Sequence, residues 1–244
     1  MYTNIPTDYA LKSISEYLRN NEYSFEYHAE TLISALEIVT KNNIIKFGDV
    51  YKKQISGTAI GKPPAPPWAK IYEGIHEDEY IPQWTNYVKL IRRFIDNGCA
   101  IWDPPAEASD EEFNGKYDEF KAVVNDNKGL TWEFTELSHS VNVLDLTLTI
   151  MPDGHIKTKL FEKPMTLHVY TPPHSMHPPG VLTSHVLGSI LRMFRLNSDE
   201  DETVSDVLCL YHNLTKRGHK EETLKPLFLK AIANARKFMP KSDL

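Results

Sequence analysis

The stretch RRFIDNGCAIW, residues 92–102, places a single carboxylate, Asp96, directly before an Asn-Gly pair and between apolar residues. Asn-Gly between strand-like flanks is the strongest short-range signal for a two-residue hairpin turn, since both residues tolerate positive φ. The pattern therefore predicts a β-hairpin whose turn is Asn97-Gly98. Asp96 then has two interpretations. It belongs to an ordinary turn, or it is what remains of a metal site that the turn pushes out of a sheet.

The composition indicates a folded chain of one large domain or two small ones, with 244 residues of which 41% are hydrophobic. No apolar stretch is long enough to predict a membrane span, and the first ten residues lack the features of a secretory signal. Cys99 and Cys209 lie far apart among apolar neighbours, so we expect two buried thiols and no disulfide. These features predict an intracellular protein and do not distinguish nucleus from cytoplasm.

The net charge of −6 hides a strong asymmetry along the chain. Residues 103–120 carry seven acids and one lysine, whereas residues 211–244 carry eight basic residues against three acids. Such a basic segment suits a polyanionic partner, and the alternative is a solvated helix face. Arg92 and Arg93 precede the hairpin turn and have two interpretations, contact with phosphates or a solvated strand edge, of which we favour the strand edge. The eight basic residues are Lys216, Arg217, Lys220, Lys225, Lys230, Arg236, Lys237 and Lys241.

Hydrophobic periodicity predicts alternating helices and strands, and hence an α+β fold. A Gly-Asp pair predicts a hairpin over residues 44–54. A proline- and histidine-rich connector suggests a boundary between Pro172 and Gly180. Helices are predicted over residues 6–20, 28–43, 68–80, 109–127 (interrupted at Gly115), 181–196, 201–217 and 222–238. Further strands are predicted in the hairpin 87–102 and over residues 130–137, 142–150 and 155–163.

Four histidines fall close together in the second half of the chain, and we tested them as a zinc site. No cysteine or carboxylate cluster completes a zinc-ligand spacing around them, so the pattern does not predict zinc. Asp145 lies in a strand-like run, where a structural hydrogen bond is the expected role. The four histidines are His168, His174, His177 and His185.

Several stretches, taken together and in order, resemble the reverse transcriptases of Penelope-like retroelements. The resemblance extends from Met1 to about Arg217. The stretches are MYTNIP (1–6), YKKQISGTAIGKPPAPPWA (51–69), RRFIDNGCAIW (92–102), and VLDLTLTI (143–150) with HIKTKLFEKPMT (155–166) and HSMHP (174–178).

The resemblance implies an α+β fold with the layout of a reverse transcriptase. Residues 1–150 would form the palm, an antiparallel sheet packed with helices. Residues 151–180 would form a β connector that supports the primer, and residues 181–244 a helical thumb. The fingers would be absent, so the chain is expected to be an N-terminally truncated and degenerate member of the family.

The resemblance also implies a metal site that uses Mg²⁺. Asp96 matches the catalytic, metal-binding carboxylate of the hairpin, and Asn97 stands where the family has a second aspartate. The aspartate of the first motif would fall just before Met1. Nucleotidyl transfer of this kind uses two metal ions, and an amide oxygen is a poorer ligand than a carboxylate for a hard dication. The site is therefore expected to be defective.

Other positions are carried over as contacts to the substrates, which are dNTPs and an RNA or DNA primer–template. Ile60 and Lys62 depart from the residues usual in the family, which puts the nucleotide contact in question. The implied nucleotide-binding residues are Tyr2, Gln54, Gly57, Gly61 and Pro66, and the implied primer–template contacts are Lys163, Lys216 and Arg217.

Two functional hypotheses follow from the sequence. The first is an RNA-directed DNA polymerase that uses Mg²⁺. The second is a non-catalytic remnant of a mobile element that binds nucleic acid through its helical region, over residues 208–241. The missing carboxylates favour the second hypothesis for the chain as it stands.

Overall fold

The structure, a computed structural model, describes residues 2–21, 26–165 and 167–237. The fold is α+β, and every strand pairing is antiparallel among the described residues. The chain divides into two compact units, Met1–Glu136 and Leu137–Leu244. Each of the seven predicted helices forms, with ends that differ from the prediction by three residues or fewer within the described part of the chain.

The described residues of the first unit form four α-helices and two separate hairpins. The hairpins do not share a sheet, because each pairs only with itself among the described strands. The elements in chain order are α1 Thr7–Asn20, α2 Ala29–Lys41, β1 Ile44–Phe47, β2 Val50–Lys53, α3 Ala65–Tyr80, a 3₁₀ turn Ile81–Trp84, β3 Val88–Phe94, β4 Asn97–Trp102 and α4 Asp110–Val124.

The first core of this unit lies where α1 packs against α2 and α3. Apolar residues recur at helical spacing on each of the three helices, so each presents one stripe to the others. Ile14 of α1 and Trp68 and Tyr72 of α3 are at most 3% exposed. Burial of side chains of this size contributes about 2 kcal/mol each, so α3 supplies two of the large side chains that stabilise this core.

A second, aromatic core joins the hairpin β3–β4 to α4. Trp84 packs edge-on against Phe120 with ring centroids 5.3 Å apart, and Trp102 lies 5.6 Å from the same ring. Tyr87 stacks on Trp102 at 5.6 Å. Such aromatic pairs add about 1 kcal/mol each beyond their buried area, so Trp102 is a strong anchor for the register of β4.

In the second unit, the part that the structure describes contains a three-stranded sheet and three helices. Its core lies between α5, α6 and α7, with Leu160 of the last strand packed against it. The predicted region boundaries at residues 150 and 180 both fall inside this unit. The elements are β5 Ser140–Val143, β6 Leu146–Ile150, β7 Ile156–Leu160, α5 Val181–Leu196, α6 Glu200–Lys216 and α7 Glu221–Lys237.

One of the predicted strands is wrong, and another is interrupted by a turn. Residues 130–137 form no strand, because Trp132 is held instead by Asn125, whose Oδ1 accepts from the Trp132 backbone N–H at 2.6 Å. The predicted strand over 142–150 is a hairpin, in which Leu144 and Asp145 form the turn between β5 and β6. Leu144 is not a residue that favours a turn, and Asp145 alone did not indicate one.

Two local expectations also fail. Helix α4 runs through Gly115 without interruption, since a glycine within a helix costs only about 1 kcal/mol and the packing of Phe120 exceeds that cost. Cys209 is exposed on α6 instead of buried, and Cys99 is half-buried in β4. Both cysteines are free thiols.

Candidate functional site

The turn of the hairpin β3–β4 is formed by Ile95 and Asp96, and the predicted turn at Asn97-Gly98 is wrong. Phe94 pairs with Asn97, so Asn97 is the first residue of β4 and Gly98 pairs with Arg93 further along. Ile95 has a φ of +57°, as the first central residue of a type II′ turn requires. A β-branched residue is strained in this region, so the turn is held by its surroundings.

Tertiary packing explains why the Asn-Gly signal did not set the turn. A turn at Asn97-Gly98 would place Arg93 opposite Trp102. In the observed register Trp102 pairs with Val88 and reaches the aromatic core. Loss of the Trp102 packing would cost more free energy than the backbone strain at Ile95. The observed register is therefore more stable than the register that the Asn-Gly pair favours.

Arg93 connects the turn to α3 through hydrogen bonds, and its interpretation as part of a solvated strand edge is wrong. Its guanidinium donates to both carboxylate oxygens of Glu77 on α3, and the side chains are only 11% and 18% exposed. It also donates to the carbonyl oxygen of Ile95 at 3.3 Å. Arg92, in contrast, is exposed as predicted and donates to the Ile91 carbonyl. The strained residue is thus tied to α3 through Arg93.

A second buried carboxylate, Glu73, lies one helical turn before Glu77 and is 1% exposed. It accepts hydrogen bonds from the indole N–H of Trp132 at 2.9 Å and from the Asn127 side-chain amide at 2.8 Å. Burial raises the pKa of Glu73, and the hydrogen bond from Trp132 partly opposes that rise. Sequence reasoning missed this residue. Its signal was the spacing of four from Glu77 on a helix face that also carries buried aromatic residues.

Asp96 itself is exposed at the tip of the turn. Its Oδ1 accepts a hydrogen bond from the Asn97 amide at 3.2 Å, and it forms no ion pair within the described part of the chain. The carboxylate therefore stays open to a ligand from solution. Asn97 is also exposed, and its amide donor is the atom turned towards Asp96.

Two of the implied nucleotide-binding segments come together although they are more than fifty residues apart in sequence. The Thr58 N–H donates to the Tyr2 carbonyl at 2.8 Å, and the Gly57 N–H donates to the Ile5 carbonyl at 3.0 Å. A Cβ on Gly57 would lie 2.6 Å from the Tyr2 oxygen, and the φ of Gly57 is +75°. Only glycine fits at this approach. The Tyr2 side chain is half-buried against the first core.

The other three implied nucleotide contacts lie on the segment that leads into α3. The Gln54 side chain donates to the Ser56 carbonyl at 2.8 Å, so its amide is committed to its own loop. Gly61 has a φ of +92° and open space on its Cα. Pro66 is exposed in the first turn of α3. These residues line an exposed loop and do not converge on a closed pocket.

The residues implied in primer and template contact belong to the second unit. Lys163 and Lys216 are exposed. Arg217 is exposed too, but its Nε donates to the Tyr170 carbonyl at 2.6 Å, so it also has a structural role. Asp145 forms an ion pair with Arg192 at 2.5 Å in addition to lying in a turn.

A metal site is not assembled by the residues that the structure describes. They include no group of three or more His, Cys, Asp or Glu that could hold a metal ion. His168 lies 3.4 Å from Glu162, and the His177 ring bonds to Ser175. Asp96 with Asn97 offers one carboxylate and one amide, which does not fit a two-ion site.

The basic segment of residues 208–241 is described as far as residue 237, so Lys241 lies outside the described residues. Lys216, Lys225 and Lys230 are exposed, while Arg236 donates to Glu200 at 3.1 Å. Residues 137–244 carry 13 basic and 11 acidic residues, against 14 basic and 22 acidic in residues 1–136. The basic balance is thus confined to the second unit.

Comparison of the chain with protein-family models, curated proteins and solved structures gives no match. Among the described helices, none has both the length and the apolar composition needed to cross a membrane.

Proposed function

We propose that this chain is a reverse-transcriptase-derived protein of the Penelope-like type, which binds an RNA–DNA primer–template but does not extend the primer. The observation that carries the proposal is the turn Ile95-Asp96. A strained, β-branched residue precedes an exposed carboxylate that no cation compensates among the described residues, and a largely buried Arg93–Glu77 pair holds the turn. Strain kept in place by a built support is typical of functional turns.

The close approach of Gly57 to Tyr2 supports the same proposal. In the resemblance, these two segments belong to neighbouring parts of one nucleotide site. Glycine is expected where backbone must approach closely, as it does where chain segments meet around a ligand. The exposed loop with Gly61 and Pro66 continues from this contact.

The absence of primer extension follows from the ligands at the turn. Nucleotidyl transfer by two metal ions needs carboxylates from two sides of the site. The hairpin supplies Asp96 alone, and Asn97 offers a neutral amide. The hairpin therefore does not provide the carboxylates that two Mg²⁺ ions would need.

Nucleic-acid binding is assigned to the exposed lysines of α6 and α7. Phosphate contacts by such residues give weak, sequence-independent binding that falls steeply as salt rises. Lys216 and Lys225 are the residues to test, because Arg217 also holds the Tyr170 segment.

The binding test is a fluorescence-anisotropy titration of the full chain with a labelled RNA–DNA primer–template at two salt concentrations. Lys216→Gln with Lys225→Gln should weaken binding and reduce the salt slope by about two, one for each phosphate contact. Lys12→Gln with Lys89→Gln, two exposed lysines of the first unit, is the matched control. An absence of binding at low salt would overturn the proposed function.

The catalytic test is dNTP incorporation on an RNA template with Mg²⁺ or Mn²⁺. We expect none from the unchanged chain and none from Asn97→Asp, since one added carboxylate leaves the site one-sided. Incorporation by the unchanged chain that disappears in Asp96→Ala would favour the alternative, an active RNA-directed DNA polymerase.

A further inference from the structure

The hairpin β1–β2 is unusual because every residue of both strands is exposed. Phe47 is 87% exposed and Tyr51 is 65% exposed, although both are large aromatic residues. Contiguous apolar surface of this kind marks an interaction site more often than chance. The hairpin is joined firmly at its base, where Lys62 donates to the side-chain oxygen of Asn43 and the Gln54 N–H donates to the Asn43 carbonyl.

The charge of this hairpin is opposite to that of the unit that carries it. Residues 44–53 contain three lysines and one aspartate, within a unit that has eight more acidic than basic residues. Basic residues gathered in an acidic unit indicate attraction for an anionic partner at this place.

The strand register places rings and lysines together on each face. Ile44 pairs with Lys53 and Lys46 with Tyr51, so these four residues share one face. The Lys46 ammonium lies 5.4 Å from the centre of the Tyr51 ring. The opposite face carries Ile45, Phe47, Val50 and Lys52.

This arrangement argues against two other partners, a membrane surface and a second copy of the chain. A membrane surface requires one apolar face and one basic face, but here each face carries both kinds of residue. Strand addition by a second copy at β2 is opposed by Lys52 and Lys53, since lysines on an edge strand discourage such pairing.

We propose that the hairpin β1–β2 binds single-stranded nucleic acid. A base stacks on Tyr51 while Lys46 and Lys53, on the same face, contact the adjacent phosphates. Phe47 offers a second ring on the other face near the tip. Aromatic stacking with flanking cations is the means by which proteins bind single strands without reading sequence. The inference extends the proposed function to a site apart from Asp96 and from the lysines of α6 and α7.

The test is an anisotropy titration of the full chain with labelled oligothymidine and oligouridine of about 12 nucleotides, within the usual site sizes. Tyr51→Ala should weaken binding about tenfold, and Phe47→Ala by a similar or smaller factor, in line with the loss of one stacked base. Tyr51→Phe keeps the ring and should restore most of the affinity that Tyr51→Ala loses. Val50→Ala removes exposed apolar area without a ring and is the matched control.

The outcome of this test is separable from that of the proposed function. Loss of single-strand binding in Tyr51→Ala, with hybrid binding still sensitive to Lys216→Gln, supports the inference. Hybrid binding without any single-strand binding overturns the inference alone. Single-strand binding without hybrid binding overturns the proposed function alone. Equal binding by Tyr51→Ala and Val50→Ala overturns the stacking site, as does binding to phosphatidylserine vesicles in place of oligonucleotide.

Discussion

The hairpins β3–β4 and β5–β6 turn through the same kind of residue pair and use it differently. Ile95-Asp96 and Leu144-Asp145 each place a bulky apolar residue at positive φ, +57° and +55°, followed by an aspartate. Asp145 is paired with Arg192 on the surface, whereas Asp96 has no cationic partner among the described residues. The cation at β3–β4 lies beneath the turn instead, on Glu77.

The hairpin β1–β2 has a comparable turn without strain, because the first residue of that turn is a glycine. Its turn, Gly48-Asp49, also has a positive φ at its first residue, +58°, but that residue is a glycine, and a Cβ added there would meet no atom within 4 Å. Glycine adopts this conformation without strain. The isoleucine and leucine at the other two turns therefore keep a strain that side-chain packing and neighbouring groups must offset, and strain alone does not identify a site. What separates Asp96 is its uncompensated charge.

Removal of the arginine beside each turn gives the largest expected difference. Arg93→Ala leaves the nearly buried Glu77 without a partner and should cost about 3 kcal/mol of unfolding free energy. Arg192→Ala breaks a pair whose side chains are at least half-exposed, and should cost less than about 1 kcal/mol. Urea denaturation followed by tryptophan fluorescence reports the first unit, where all four tryptophans lie, and circular dichroism reports the helices of the second. Equal losses would contradict the assigned difference in burial.

Replacement of the strained residue by glycine should change the free energy of unfolding in opposite directions at the two turns. Leu144→Gly relieves about 1–2 kcal/mol of strain and loses about 0.5–1 kcal/mol to the freer unfolded chain, for a small net gain. Ile95→Gly also loses the packing of a half-buried side chain, so we expect a net loss of about 1 kcal/mol. The reverse change, Gly48→Ala, should be destabilising. A gain for both glycine variants in thermal unfolding would show that Ile95 contributes no packing.

The sequence predicted helices well and turns unevenly, for reasons visible in these hairpins. Helical stripes are local, and all seven helices formed where periodicity indicated. Gly48-Asp49 was predicted because glycine suits a positive φ. Ile95 and Leu144 carry no such signal, since packing of Trp102 and the sheet register impose their conformations. For the implied site, the sequence predicted the separate segments but not the contacts between them. The contact of Gly57 with Tyr2 and the buried Glu73 depend on long-range packing.

The pH dependence of stability should also separate the two units that carry these hairpins. Burial raises the pKa of Glu73, so the folded state holds this proton more tightly than the unfolded state does. The associated stability is present at low pH and is lost as the pH rises from the ordinary glutamate pKa through the raised one. Glu73→Gln should flatten this part of the profile for tryptophan fluorescence in the first unit. The β5–β6 region, which contains no such buried acid among its described residues, should show no matching change.

The smallest expected effects are those of the two aspartates, and they bear directly on the comparison. Asp145→Asn removes the ion pair with Arg192 and should cost between zero and about 1 kcal/mol, because the pair is exposed. Asp96→Asn removes a charge that no cation in the described part of the chain offsets, and should change stability by less than about 0.5 kcal/mol. High salt should reduce the Asp145→Asn loss and leave Asp96→Asn unchanged, since screening acts on exposed pairs. Chemical denaturation at low and high salt measures both. A loss in Asp96→Asn as large as in Asp145→Asn would mean that Asp96 has a structural partner, and the carboxylate would then not be free for a ligand.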